Sequence, residues 1–169
     1  MKPSPINKES VVKADAFLVS KTDTKGRITY CNPPFMEIAG YKETQLLGKP
    51  HNIVRHPDMP KVIFKLLWEK IQAKEEIFAY VKNMSADGGF YWVFANVTAS
   101  TDNKGNTIGY YSVRRKPNPK ALEVIIPLYK ELIELENKDG INASYSHIEK
   151  LLKEKGMSYE ELSNHLQRL

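Results

Sequence analysis

The apolar positions of this chain follow two periods, and the places where one gives way to the other set out its architecture. Alternation of period two, the mark of a half-buried strand, runs through residues 16–21 and 27–31 around the turn Asp23-Thr24-Lys25-Gly26. It returns in three longer runs, 77–84, 89–99 and 107–115. The turns joining these are Ala86-Asp87-Gly88-Gly89 and Asp102-Asn103-Lys104-Gly105-Asn106, rich in residues that accept turn backbone. Spacing of three and four takes over between the second and third strands. Val62, Ile63, Leu66, Leu67 and Ile71 predict a helix over 60–74 with one buried side, and Trp68 stands one position round from Leu67. Two shorter helices precede it. Asn32 can cap a helix over 33–39, with Pro33 tolerated in its first turn and Gly40 at its end. Residues 42–47 supply another turn, stopped by Gly48 and Pro50.

This order predicts an α+β domain over 16–115, a five-stranded antiparallel sheet with short helices crowded on one side, where a ligand can sit. Residues 1–15 read as a polar lead or cap, and 116–169 as a helical extension. Pro117 and Pro119 open a linker, after which Leu122, Ile125, Ile126, Tyr129, Leu132, Ile133 and Leu135 resume helical spacing. Pro127 is expected to bend that helix or shift its start. Ser146 with Glu149, and Ser158 with Glu161, read as capping boxes opening two short helices separated by Gly156. Helices of this length do not stand alone, so their apolar faces must pack on the domain, on each other or on a second chain.

Along the last strands, alternation places Ala79, Val81 and Asn83 on one face, and likewise Tyr91, Val93, Ala95 and Val97. Phe90, Trp92, Phe94 and Asn96 share the opposite face, an aromatic patch that needs cover from the chain's own ends or from another protein.

Composition narrows the function. A 169-residue chain that is 41% apolar builds one core, and its net charge of +5 comes from interleaved Lys and Glu rather than a basic stripe, which speaks against nucleic-acid readout. The single cysteine, Cys31, excludes an intrachain disulfide and a thiolate zinc cluster, and reads as a small buried thiol. The amino terminus has no signal-peptide core, and the longest aliphatic run, 122–128, carries Glu123 and Pro127 and is too short to span a bilayer. The expectation is a cytoplasmic protein without direct membrane insertion. No nucleophile has an evident base, and no glycine-rich phosphate loop is present, so an enzyme is not expected.

Chemistry is concentrated in Pro50-His51-Asn52-Ile53-Val54-Arg55-His56-Pro57-Asp58-Met59-Pro60, too punctuated for ordinary helix or strand and reading as a pocket wall. The Arg55 guanidinium can bind a phosphate or pair with Asp58. Asn83 is the most telling amide, because a strand interior disfavours asparagine unless its edge has something to read.

That central string, together with Thr29-Tyr30-Cys31-Asn32-Pro33-Pro34-Phe35, Gly40-Tyr41, Phe64 with Trp68, Val81-Lys82-Asn83, Tyr91-Trp92-Val93 and Gly109-Tyr110 through Arg114, resembles a PAS domain. The likeness is to the FAD-binding PAS module of bacterial aerotaxis and energy-taxis receptors, in a stand-alone form. It implies a PAS fold, a noncovalent FAD, redox sensing without turnover, and a separate membrane-bound chemoreceptor signalling protein as partner, with a homodimer also open. It further implies that Arg55, His56 and Asp58 are needed for flavin binding and that Asn32 and Tyr91 lie near the ring. Trp68 then packs on the cofactor or buttresses the long helix, and Arg114 joins Asn83 in feeling the ring's charge from the sheet. Two other readings remain open at this point: a cofactor-free interaction module, and a haem-binding gas sensor using His51 or His56.

Overall fold

A computed structural model describes residues 2–169; Met1, the first residue of the expected lead, lies outside them. The five strands are β1 (Leu18–Thr22), β2 (Ile28–Cys31), β3 (Ile77–Met84), β4 (Phe90–Thr101) and β5 (Thr107–Arg115). They form one antiparallel sheet in the order β2-β1-β5-β4-β3. Between β2 and β3 lie α1 (Pro33–Ala39), α2 (Glu43–Leu46), one 3-10 turn (His51–Val54) and α3 (Lys61–Gln72), all against one face. The α+β architecture expected from the periodicities, and the PAS fold implied by the resemblance, are therefore the ones observed.

Register divides the sheet into two faces as the alternation implies. Ala79 faces Ala95, Val81 faces Val93 and Asn83 faces Tyr91 across β3 and β4, and these side chains are buried beneath the short helices. Tyr80, Trp92 and Phe94 point the other way and are buried as well. Their cover comes from the chain's own carboxy-terminal helices, α4 (Pro119–Asp139), α5 (Ile141–Lys155) and α6 (Tyr159–Gln167). The Tyr129 ring of α4 lies 6.0 Å from Trp92, and its hydroxyl donates to the Tyr80 carbonyl at 2.7 Å and meets the Tyr159 hydroxyl at 2.5 Å. Tyr80 in turn donates to the Ser163 carbonyl of α6 at 3.0 Å. These side chains also occupy part of the free edge of β3, which blunts it as a template for pairing.

The amino-terminal lead runs beside the β3–β4 turn, with Ile6 donating to Gly88 and Phe90 donating to Lys8. Gly88 holds φ +93, and a β-carbon there would lie 2.2 Å from the Ser4 carbonyl oxygen, so the close approach of the lead requires glycine.

Three details of the extension depart from expectation. Asn118 caps α4 and Pro119 opens it, so the linker is only a few residues long. Pro127 does not set the helix start: it sits exposed inside α4, while Ile125, Leu128, Tyr129 and Leu132 keep a continuous buried stripe. The Ser146–Glu149 pair opens no helix: α5 already starts at Ile141, immediately after Gly140, and Ser146 lies within it. The Ser158–Glu161 box does open α6, and Gly156 closes α5 in the left-handed conformation.

Candidate functional site

Between the sheet and α3 lies a cavity of about 140 Å³. Val81, Asn83, Ala95 and Val97 floor it from β3 and β4, while Ser20, Ser112, Tyr110 and Arg114 come from β1 and β5. Phe64, Leu67, Trp68 and Ile71 form its helical wall, and His51, Asn52 and Arg55 close the side made by the 3-10 turn. Small residues on β4, where alternation puts Ala95 and Val97 inward, make the room. The half-exposed Trp68, its ring 5.5 Å from Tyr110, stands with Gly26 and Asn52 at the mouth.

The polar groups of this chamber are unusual in their charge balance. Arg114 is buried at 3% exposure. Its Nε donates to the Leu18 carbonyl at 3.3 Å, one terminal nitrogen to His51 Nε2 at 3.1 Å, and the other to the Ser20 hydroxyl at 2.8 Å. Its carbon end lies 4.3 Å from the Phe35 ring. Every partner is neutral. Burial alone brings its pKa down to about 10. Because a guanidinium cannot accept, His51 must present its Nε2 lone pair, which puts the imidazole proton on Nδ1. Burial first, and the Arg114 charge second, drive the His51 pKa down to about 3, so this ring stays neutral.

Arg55 is the second cation. Its guanidinium stacks 3.6 Å from the centre of Phe64, and its buried Nε has no hydrogen-bond partner. The only arginine ion pair among the described residues is Arg27 with Asp23, in the β1–β2 turn and outside the chamber lining. Two guanidinium groups thus face an apolar chamber without a carboxylate between them.

The other expected site residues divide. Asn83 is 4% exposed and reaches the chamber; Trp68 stands at its mouth. Tyr91 is buried one register position behind, across from Asn83, with its hydroxyl lacking a well-formed partner and burial raising its pKa. His56, Asp58 and Asn32 do not line the chamber. His56 Nδ1 accepts the Asp58 backbone N–H at 3.0 Å while its ring meets Phe90 edge-on, and burial lowers its pKa. Asp58 is exposed and bonds Lys82 at 3.1 Å, so the Arg55–Asp58 brace does not form. Asn32 is fully employed as a staple: its Oδ1 accepts from Val19 and from Phe35 at the start of α1, and its amide donates to the Phe17 carbonyl. His51 is the residue whose role at this site the sequence understated. Its only signal was position, one residue after Pro50, where a 3-10 turn swings the ring inward against Phe35 at 5.9 Å.

Among the described residues no cluster of three or more His, Cys, Asp or Glu could hold a metal ion, and no helix is long and apolar enough to cross a membrane.

An antiparallel sheet and short helices enclosing one chamber of about 140 Å³ is the arrangement this sequence builds. The chain belongs to the PAS fold family, whose pattern matches residues 28–114. It is 39% identical over 118 residues to the aerotaxis receptor of Escherichia coli (strain K12), a match covering 70% of this chain and 23% of that receptor. It therefore spans less than a quarter of that relative's length. In fold it is similar to the dark structure of the blue-light photoreceptor Aureochrome1 LOV (TM-score 0.58, 23% identity, covering 69% of this chain and 86% of that one). A light-oxygen-voltage domain studied with a flavin analogue superposes with a TM-score of 0.56 at 22% identity, covering 66% of this chain and 83% of that one.

Proposed function

We propose that this protein is an FAD-binding redox sensor that reports respiratory state to a separate membrane-bound chemoreceptor, without turning over a substrate. The observation that carries the reading is the pair of guanidinium groups, Arg55 and Arg114, turned on an apolar chamber with no carboxylate to neutralise them. Two uncompensated cations in low dielectric are costly unless something electron-rich joins them. The 39% identity to an aerotaxis receptor supports the taxis role.

The residues present fit a flat, partly polar ring system. Ala95 and Val97 leave a smooth floor, Asn83 offers a donor and an acceptor edge, and Trp68 covers the mouth. The chamber is smaller than the roughly 300–1,000 Å³ usual for a whole ligand. Gly26 and Asn52, with Trp68, would border whatever part of the ligand the chamber does not enclose. A bound flavin supplies reversible electron uptake, and hence a change in the charge its surroundings must accommodate. Arg114 uses three of its five N–H groups on Leu18, His51 and Ser20, which keeps its plane fixed while the remainder are free for a ligand. His51, held neutral, leaves that positive charge undiluted. Arg55, seated on Phe64, supplies the second. His56 and Asp58 act from behind: His56 pairs its backbone with Lys82 of β3, and Asp58 ties down the Lys82 ammonium, so both fix the loop that presents Arg55.

The haem alternative meets a geometric obstacle, since His51 Nε2 is already engaged by Arg114 and Ser20, and His56 points away from the chamber. Titration with FAD tests the proposal. Arg55→Ala should weaken binding by about tenfold or more with the far-ultraviolet circular dichroism unchanged. Equal affinity in the variant would remove Arg55 from the site, and a protein that binds no flavin at all would return the chain to a cofactor-free docking role.

A further inference from the structure

The carboxy-terminal helices reach the wall of the cavity as well as the back of the sheet. Helix α3 contributes Phe64, Leu67, Trp68 and Ile71 to the chamber, yet its own segment provides no cap: Pro60 occupies the N-cap position and makes no side-chain bond. Its first amides are satisfied from elsewhere. Glu136, in the last turn of α4, accepts the Lys61 N–H on Oε2 and the Val62 N–H on Oε1, both at 2.9 Å. The Ser144 hydroxyl of α5, wholly buried, lies 3.0 Å from the same Oε1 and 2.9 Å from the Ile141 carbonyl, so its one proton is shared between them and helps orient the carboxylate. A second tie lies further along the helix. Tyr145 of α5 stacks under the Lys65 ammonium at 4.1 Å, and its hydroxyl reaches Glu69 at 3.4 Å. The extension thus grips α3 at its start and at its middle, on the side away from the chamber.

We propose that Glu136 is a positioning residue for the cavity: by capping α3 from α4 it sets where that wall stands, and so couples the chamber to the α4–α5 pair. A carboxylate at a helix N-terminus gains from two charge-assisted bonds and from the helix dipole together. Without it, the first turn of α3 has no other side chain to satisfy its amides and frays towards the loop that carries Arg55. The coupling runs both ways by thermodynamic necessity: whatever shifts α3 by filling the chamber changes the strength of the Glu136 contact by the same factor. The physical link does not depend on which ligand enters. Its use in signalling rests on the flavin reading above, and makes the α4–α5 pair the part of the molecule whose state a partner can read.

The test uses the full chain. In ligand-free protein, Glu136→Gln should speed amide exchange at Lys61 and Val62 by about tenfold, and should move the Trp68 indole resonance while that of Trp92, under α4, stays in place. Ser144→Ala, which keeps the carboxylate and removes its orienting donor, should give a smaller change of the same pattern. Unchanged exchange over residues 61–72, or an equal acceleration throughout the sheet, would overturn the proposal, the second because it marks a merely global loss of stability. Saturating FAD, used as the probe, should slow exchange at Lys61, Val62 and Ser144 in the parent and lose that effect in Glu136→Gln. Binding without any such change would also overturn the coupling. Absence of FAD binding would overturn the flavin reading instead, and the ligand-free comparison would still decide the role of Glu136.

Discussion

Replacing Arg114 with methionine should separate the stability of this fold from its ligand chemistry. In the ligand-free protein the guanidinium is buried among neutral partners, and burial brings its pKa down to about 10 from an ordinary value of 12.5. Holding the charge there costs about 3 kcal/mol. Its bonds to Leu18, His51 and Ser20, made by a charged group, return about 1.5 kcal/mol each. The two contributions largely offset, and methionine fills the stem's volume over Phe35, so Arg114→Met should cost the ligand-free protein only about 1–2 kcal/mol, for the Leu18 carbonyl left without its donor. The folded pKa lies below the unfolded one, so the cost is fully present below about pH 10 and fades only above it. The difference between parent and variant should therefore be flat from neutral pH into the mildly alkaline range. Ligand binding should behave otherwise. Losing a charge-assisted contact in a closed chamber is worth about 2–3 kcal/mol, a weakening of roughly 30- to 150-fold in FAD affinity. Urea unfolding with and without FAD reads both quantities, since a ligand that binds only the folded state raises its stability in proportion to affinity. A variant that loses several kcal/mol without ligand, or that FAD stabilises as much as the parent, would refute the reasoning.

Two further outcomes follow from the same geometry. His51 is held neutral with a pKa of about 3, below the 6.5 of an unfolded histidine, so the unfolded chain takes up a proton first as pH falls. Stability should therefore drop by about 2–4 kcal/mol between pH 6.5 and 3 on this account, and His51→Gln, which still accepts from Arg114, should remove that part; identical pH profiles of urea midpoints would contradict it. Tyr129→Phe removes a hydroxyl shared with the Tyr80 carbonyl and Tyr159, and should cost about 1–3 kcal/mol in chemical unfolding; a loss below about 0.5 kcal/mol would mean the tyrosine cluster contributes packing alone.

The sheet was legible because alternation is a local property. β3 and β5 match the expected 77–84 and 107–115, and the inward set Val81, Asn83, Ala95 and Val97 floors the chamber as period two requires. The site was legible only in part, since the proline-punctuated segment mixes residues that share chemistry but point in different directions. One 3-10 turn separates His51, which enters the chamber, from His56, which turns back on Phe90; no period distinguishes the two in the sequence. The partner of Asp58 proved to be Lys82, 24 residues away on the adjacent strand, rather than Arg55 three residues before it. Asn32 shows how one side chain can satisfy a local rule and a distant one together, capping α1 while bonding β1. The false start at Ser146 and the cap supplied by Glu136 share a cause. Capping boxes are read within four residues, whereas the amides at the start of α3 are satisfied across 74 and 75 residues of chain.

Nondenaturing mass spectrometry of the purified full chain, followed by denaturation and identification of whatever is released, addresses the central claim most directly. One FAD per chain, noncovalently held and shed on unfolding, is the result expected from two unpaired guanidinium groups around an apolar, amide-edged chamber. A folded protein at its bare sequence mass that takes up no added flavin, or one that releases an iron porphyrin, would contradict it.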